Sequence, residues 1–137
     1  MQSDDLLAHA KRARDRAYAP YSGFTVGAAV DVGEGVVVVG CNVENASYGL
    51  SICAERVALC NAIAQGHTRI FAIAIAGPES AQTAPCGACR QFMAEFDRRM
   101  PVTFTTAAGP VKTTLEELLP RSFGASDLSS VRPLPTK

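Results

Sequence analysis

Chemistry in this 137-residue chain concentrates on five cysteines and one glutamate. Cys86-Gly-Ala-Cys89 sets two thiols one turn apart at what reads as the start of a helix. Unpaired amides and the helix dipole there favour thiolate over thiol. Alone, that spacing suits a redox couple, a structural zinc site or ordinary buried cysteines. Cys53-Ala54-Glu55, also at the opening of a helix, adds a third thiolate and a carboxylate two residues from it. Three protein ligands leave one tetrahedral position open. Catalytic zinc keeps such a position for a water whose pKa falls toward ~7, whereas structural zinc is usually closed by four ligands. Glu55 is then the natural proton carrier.

Cys41 lies in a valine-rich strand and Cys60 two turns along the helix from Cys53, so both read as core residues rather than ligands. Three thiolates give a zinc site net negative charge, which weakens activation of water unless positive charge or amide dipoles draw density off the sulfurs. Arg56 is placed to supply it. Arg90 reads either the same way or as a solvent-facing helix charge.

These groups need elements to hold them. Ser3 caps a first helix, with Asp4 and Asp5 in its first turn and an apolar stripe of Leu6, Leu7, Ala10, Ala13 and Ala17 that ends before Pro20. Valine-rich runs at 24–32 and 35–43, separated by Gly33-Glu34-Gly35, predict two antiparallel strands. Residues 51–65 predict a buried helix stopped by Gly66, leading into a strand at 70–76. Pro85 opens a second such unit: a helix over 86–99 with Phe92, Met93 and Phe96 inward, then a strand at 102–106. The alternation implies parallel pairing among the later strands. A short helix over 114–119 precedes Pro120, and residues 129–137, with Pro133 and Pro135, read as a flexible tail behind a single domain over 1–128.

Hydrophobic residues make up 47% of the chain and charged residues 19%, which leaves apolar surface in want of cover and favours self-association. Thirteen Lys plus Arg balance thirteen Asp plus Glu, so no net field gathers nucleic acid or anionic membrane. A small neutral substrate suits that balance. The N-terminus shows no basic stretch followed by an apolar core, and no apolar run approaches the ~20 residues of a membrane span. The expectation is a cytoplasmic protein whose cysteines are thiols or metal ligands.

Cys53-Ala54-Glu55 followed by Pro85-Cys86-Gly-Ala-Cys89 resembles the zinc deaminase signature, with cysteine in its histidine position. More of the chain, from about residue 18 to 128, is similar to the small homotetrameric zinc-dependent cytidine deaminases of the cytidine/deoxycytidylate deaminase superfamily. The matching stretches are Ala19-Pro20-Tyr21-Ser22, Phe24-x-Val26-Gly27-Ala28, the run from Gly40 to Gly49 that contains Asn42-Val43-Glu44-Asn45, Cys89-Arg90-Gln91 and Leu118-Leu119-Pro120. The resemblance implies an α/β fold, a three-layer α/β/α sandwich with a mixed, roughly five-stranded sheet. It implies hydrolytic deamination of cytidine and deoxycytidine to uridine and deoxyuridine with release of ammonia, in pyrimidine salvage, with Zn2+ as cofactor. Cys53, Cys86 and Cys89 would hold the metal, and Glu55 would move protons between the water, N3 and the departing amine. Phe24, Asn42, Glu44, Ala54 and Phe123 would contact the nucleoside, Asn42 and Glu44 through sugar hydroxyls. Phe123 would reach a neighbouring subunit's site, with Tyr48 at the interface and Arg56 and Gln91 behind the ligands.

Rival readings are a deaminase of the same fold acting on another aminated nucleoside, a nucleotide, an RNA base or another heterocycle, a structural zinc protein, and a redox pair. Asn42 and Glu44 favour a free nucleoside, because a nucleotide or RNA calls for basic residues near the sugar. Glu55 argues against the last two, since neither a closed zinc site nor a redox pair needs it.

Overall fold

The computed structural model describes residues 1–135; the last two positions of the expected tail lie outside the described residues. Helix α1 (Ser3–Arg14) is followed by strands β1 (Gly27–Gly33) and β2 (Val36–Cys41), helix α2 (Ala54–Ala64), strand β3 (Ala72–Ala76) and helix α3 (Gly87–Ala94). Strands β4 (Pro101–Phe104) and β5 (Val111–Thr114) and the short helices α4 (Leu115–Leu118) and α5 (Ala125–Ser129) complete the order. The five strands form one sheet in the order β2-β1-β3-β4-β5. β3 and β4 run parallel and the other neighbours antiparallel, which gives the expected mixed sheet.

Strand alternation sorts the core into two layers. Ala29, Ala74 and Ala76 pack with Leu6, Leu7 and Ala10 of α1 on one face. Ala28, Val30, Ile73, Ile75 and Val102 pack on the other with Ala58 and Leu59 of α2 and Met93 of α3. The result is the α/β/α sandwich. Small side chains face α1 so that the helix sits close: a Cβ added at Gly27 would lie 2.1 Å from the carbonyl oxygen of Ala10. Gly40 does the same for α2, where a Cβ would lie 2.4 Å from the Ala58 nitrogen. That close seat fixes α2, and with it Cys53 and Glu55, against the hairpin.

The β1–β2 hairpin turns at Glu34-Gly35, both with positive φ (56° and 75°), the backbone of a type I′ turn. The strands stop short of the expected ends for a specific reason. Beyond the Gly27–Cys41 pair one backbone bond remains, Asn42 N donating to the Val26 carbonyl at 3.1 Å, and the Asn42 side chain takes over the rest: Oδ1 accepts from Val26 N at 2.9 Å and Nδ2 donates to the Phe24 carbonyl at 2.7 Å. An amide side chain in place of part of the backbone pairing splays the hairpin open at this end.

Other elements differ from expectation: Gln2 rather than Ser3 is the N-cap of α1, which ends at Arg14 before Ala17. Ile52 pairs in a bridge with Val43, so α2 begins at Ala54 rather than at residue 51. α3 ends at Ala94, short of residue 99, and the chain turns through 95–100 into β4, leaving Phe92 and Phe96 only partly buried against the core and Met93 fully buried. β5 was not predicted; it pairs with β4 along the sheet edge and leads directly into α4. Among the described residues, no helix is long and apolar enough to cross a membrane.

Candidate active site

Two helix N-termini meet beside the splayed hairpin. Cys53 is the N-cap residue of α2, Cys86 that of α3, and Cys89 lies in the first turn of α3. Their sulfurs lie within 4.8 Å of one another, with Cys53 Sγ and Cys86 Sγ 3.9 Å apart. Zn–S bonds of about 2.3 Å at tetrahedral angles place sulfurs about 3.8 Å apart, so this donor set fits a zinc ion. Among the described residues, no fourth His, Cys, Asp or Glu joins the group.

The same helix ends supply the electrostatics. Unpaired amides at the starts of α2 and α3 direct partial positive charge at the sulfurs. The Cys53 thiol is pulled down to about 5, chiefly by the Cys89 thiol donating to it and then by Arg56, whose Nη2 donates to Cys53 Sγ at 3.6 Å. Cys89 is held protonated by that same contact and by burial. A zinc ion must therefore displace the proton of Cys89. Arg56 thus stands where the sulfur charge requires it.

Glu55 is 5% exposed, and burial raises its carboxyl above the ordinary range, with the negative Cys53 sulfur adding to the shift. It lines a cavity of about 280 Å³ together with Cys53, Ala54, Cys86, Phe24, Asn42 and Glu44, which brings candidate ligands, proton carrier and sugar contacts into one space. Ala54 opens α2, so its N–H has no partner within the helix. Asn42 and Glu44 flank the bridging Val43 rather than lying in β2 itself. The Glu44 carboxylate accepts from Tyr21 N at 3.0 Å, from Ser22 N at 3.1 Å and from the Ser22 hydroxyl, which together hold it below the usual carboxylate range. A larger cavity of about 390 Å³, between Arg98, Arg99, Glu116, Leu119 and Pro120, shares no residue with this one.

Other expected residues stand elsewhere. Tyr48 and Phe123 are outside the cavity lining and strongly exposed, at 76% and 56%. Tyr48 packs its ring 6.1 Å from that of Tyr21. Gln91 Nε2 donates to the Phe123 carbonyl at 2.7 Å, so its amide holds the 123 loop. Arg90 is neither a counter-charge at the sulfurs nor a free surface charge: Nε donates to the Pro85 carbonyl at 2.8 Å and Nη1 to that of Leu118 at 2.9 Å. Cys60 is exposed rather than in the core, because α2 buries Ala58, Leu59 and Ala62 and turns residue 60 outward. Cys41 is half-buried at the end of β2, and neither cysteine joins the trio. Ser22 and Thr83 also line the cavity and had no role in the sequence reading. The serine-glycine turn at 22–23 carried a weak signal for the first; nothing local pointed to the second.

Three clustered thiols at paired helix ends, an open ligand position and a buried carboxylate in the same cavity define a zinc-dependent hydrolytic enzyme on an α/β/α sandwich. The family model described as "Cytidine and deoxycytidylate deaminase zinc-binding region" matches residues 1–105. The chain is 43% identical over 131 residues to a cytidine deaminase of Sporosarcina psychrophila, covering 94% of this chain and 96% of that one. It is 44% identical over 131 residues to one of Halalkalibacterium halodurans, covering 94% and 99%. The crystal structure of cytidine deaminase from Burkholderia pseudomallei superposes with a TM-score of 0.84 at 47% identity, covering 90% of this chain and all of that one (100%). The chain belongs to the cytidine and deoxycytidylate deaminase family.

Proposed function

We propose that this chain hydrolyses the 4-amino group of cytidine and deoxycytidine, giving uridine or deoxyuridine and ammonia. The observation that carries this reading is the cavity that joins Cys53 and Cys86 of the three-thiol site with Glu55, Asn42 and Glu44. Bound zinc supplies a Lewis acid that lowers the pKa of a water molecule toward ~7. Glu55 does the proton work: its carboxylate takes the proton lost by the attacking water and gives it to N3, then takes the proton of the new C4 hydroxyl and gives it to the departing amine. The C4–O bond forms first, leaving C4 tetrahedral, and C4–N breaks afterwards as the C4 oxygen becomes the product carbonyl and ammonia leaves neutral. A buried carboxylate with raised proton affinity suits both directions of transfer. Ala54 offers the base a free N–H, Phe24 packs beside the nucleoside, and Asn42 and Glu44 take a sugar hydroxyl. Arg56 draws density from Cys53.

Ultraviolet monitoring of cytidine with the zinc-loaded protein, beside metal analysis, tests this. Turnover with about one zinc per chain is expected; a zinc-loaded protein that leaves cytidine intact would refute it.

In this reading the enzyme is a homotetramer that works in the cytoplasm in pyrimidine salvage. Exposed Tyr48, Leu50, Ile52 and Phe123 support assembly, since it would cover them, and five unpaired cysteines suit a reducing compartment. Phe123 would stack on the pyrimidine in a neighbouring subunit. Phe123→Ala should then lower kcat/KM about three- to tenfold, the worth of an aromatic contact. Mixed assemblies with Glu55→Gln subunits should recover activity, because the second subunit still supplies Phe123 to an intact Glu55. A fully active monomer in light scattering would rule this out.

A further inference from the structure

We infer that Ser22 is a positioning residue that sets the direction of the Glu44 carboxylate toward the sugar. The inference rests on the reading of Glu44 as the sugar acceptor. A turn over 19–23, closed by Gly23 N donating to the Ala19 carbonyl at 3.0 Å and by the left-handed Gly23 (φ 71°), presents three donors to one side chain. Tyr21 N and Ser22 N both go to Glu44 Oε1, and the Ser22 hydroxyl goes to Oε2. A carboxylate has about four acceptor positions. The two amides fill Oε1, the hydroxyl takes one place on Oε2, and one place remains for a ligand.

The free position therefore sits on the oxygen that Ser22 controls. Ser22 Oγ is itself fixed, because it accepts from Phe24 N at 3.0 Å. That bond occupies a lone pair and directs the hydroxyl proton at Glu44, so the chain Phe24 N–H, Ser22 O–H, Glu44 Oε2 is aligned and each bond polarises the next. The carboxylate also forms the wall between two cavities: Ser22 and Glu44 line both the site and a neighbouring space of about 240 Å³ beside Tyr21 and Tyr48. Without the hydroxyl, Oε1 stays anchored on two amides while Oε2 is free to swing away from the site. Binding of the sugar suffers; the proton transfers at Glu55 do not.

The test is steady-state kinetics of the zinc-loaded enzyme on cytidine and on 2′,3′-dideoxycytidine, which lacks the hydroxyls that Glu44 would accept. Ser22→Ala should raise KM for cytidine about tenfold, the worth of one charge-assisted hydrogen bond, with kcat within about twofold. Kinetics on the dideoxy substrate should not change, and Ser22→Thr should restore the cytidine KM. If Ser22→Ala shifts both substrates alike, Ser22 merely shapes the loop and the inference is overturned. If Glu44→Gln raises the cytidine KM while Ser22→Ala does not, the sugar reading stands and the Ser22 role falls. If Glu44→Gln also leaves cytidine unchanged, the sugar reading fails first and takes the inference with it.

Discussion

Glu55→Gln should keep about one zinc per chain and lower the rate of cytidine loss by about 10⁴-fold, at the upper end for a general acid and base used in more than one transfer. Gln has the same shape and can still hydrogen-bond, but it cannot take a proton from water or return one to the base. Zinc should be retained because Glu55 is not among the clustered ligand atoms. Nor should the fold suffer. Burial raises the Glu55 carboxyl, which means that the ionised form is destabilising inside the protein at neutral pH. A neutral amide removes that cost, so the melting temperature should hold or rise slightly. Zinc by atomic absorption, melting temperature and initial rates on one preparation separate the three quantities. A variant within tenfold of the parent rate would show that another group carries the protons.

Cys86→Ser should act on the other half of the chemistry, abolishing stoichiometric zinc and lowering activity by at least about 10³-fold, because a bound, acidified water requires the ion. Cys86 is the more informative ligand to change because it is exposed, whereas Cys89 is fully buried in the core. Loss of zinc with an unchanged circular dichroism spectrum would then report on coordination and not on unfolding. Proton release gives an independent check. Because the metal-free trio keeps Cys89 protonated, zinc uptake at neutral pH should release protons and weaken as pH falls, and both effects can be followed by titration in weak buffer. A Cys86→Ser protein that retains one zinc and full turnover would remove this residue from the metal site.

The hairpin is legible because Gly33-Glu34-Gly35 puts its glycines where the chain takes three consecutive positive φ values, and α1 because its apolar stripe is local. β5 is not, since Val-Lys-Thr-Thr at the sheet edge buries little and shows no clear alternation. The start of α2 differs for a related reason: residues 51–53 continue the apolar spacing of the helix, but the bridge from Ile52 to Val43 takes them. Cys60 is exposed against expectation because periodicity does not say which side of a helix meets the sheet.

Taken alone, the sequence determined Cys86 and Cys89 one turn apart, Glu55 two residues from Cys53, and Arg56 one turn from Cys53. Those relations depend on spacing within single helix starts, and helix geometry converts such spacing directly into position. Tertiary structure decided what surrounds them. Ser22 meets Glu44 across 22 residues, Arg90 meets Leu118 across 28 and Gln91 meets Phe123 across 32. A hydrogen bond is directional and acts over about 3 Å. Only the packing of α2 and α3 against the sheet, with the hairpin splayed by Asn42, brings such distant partners within that range.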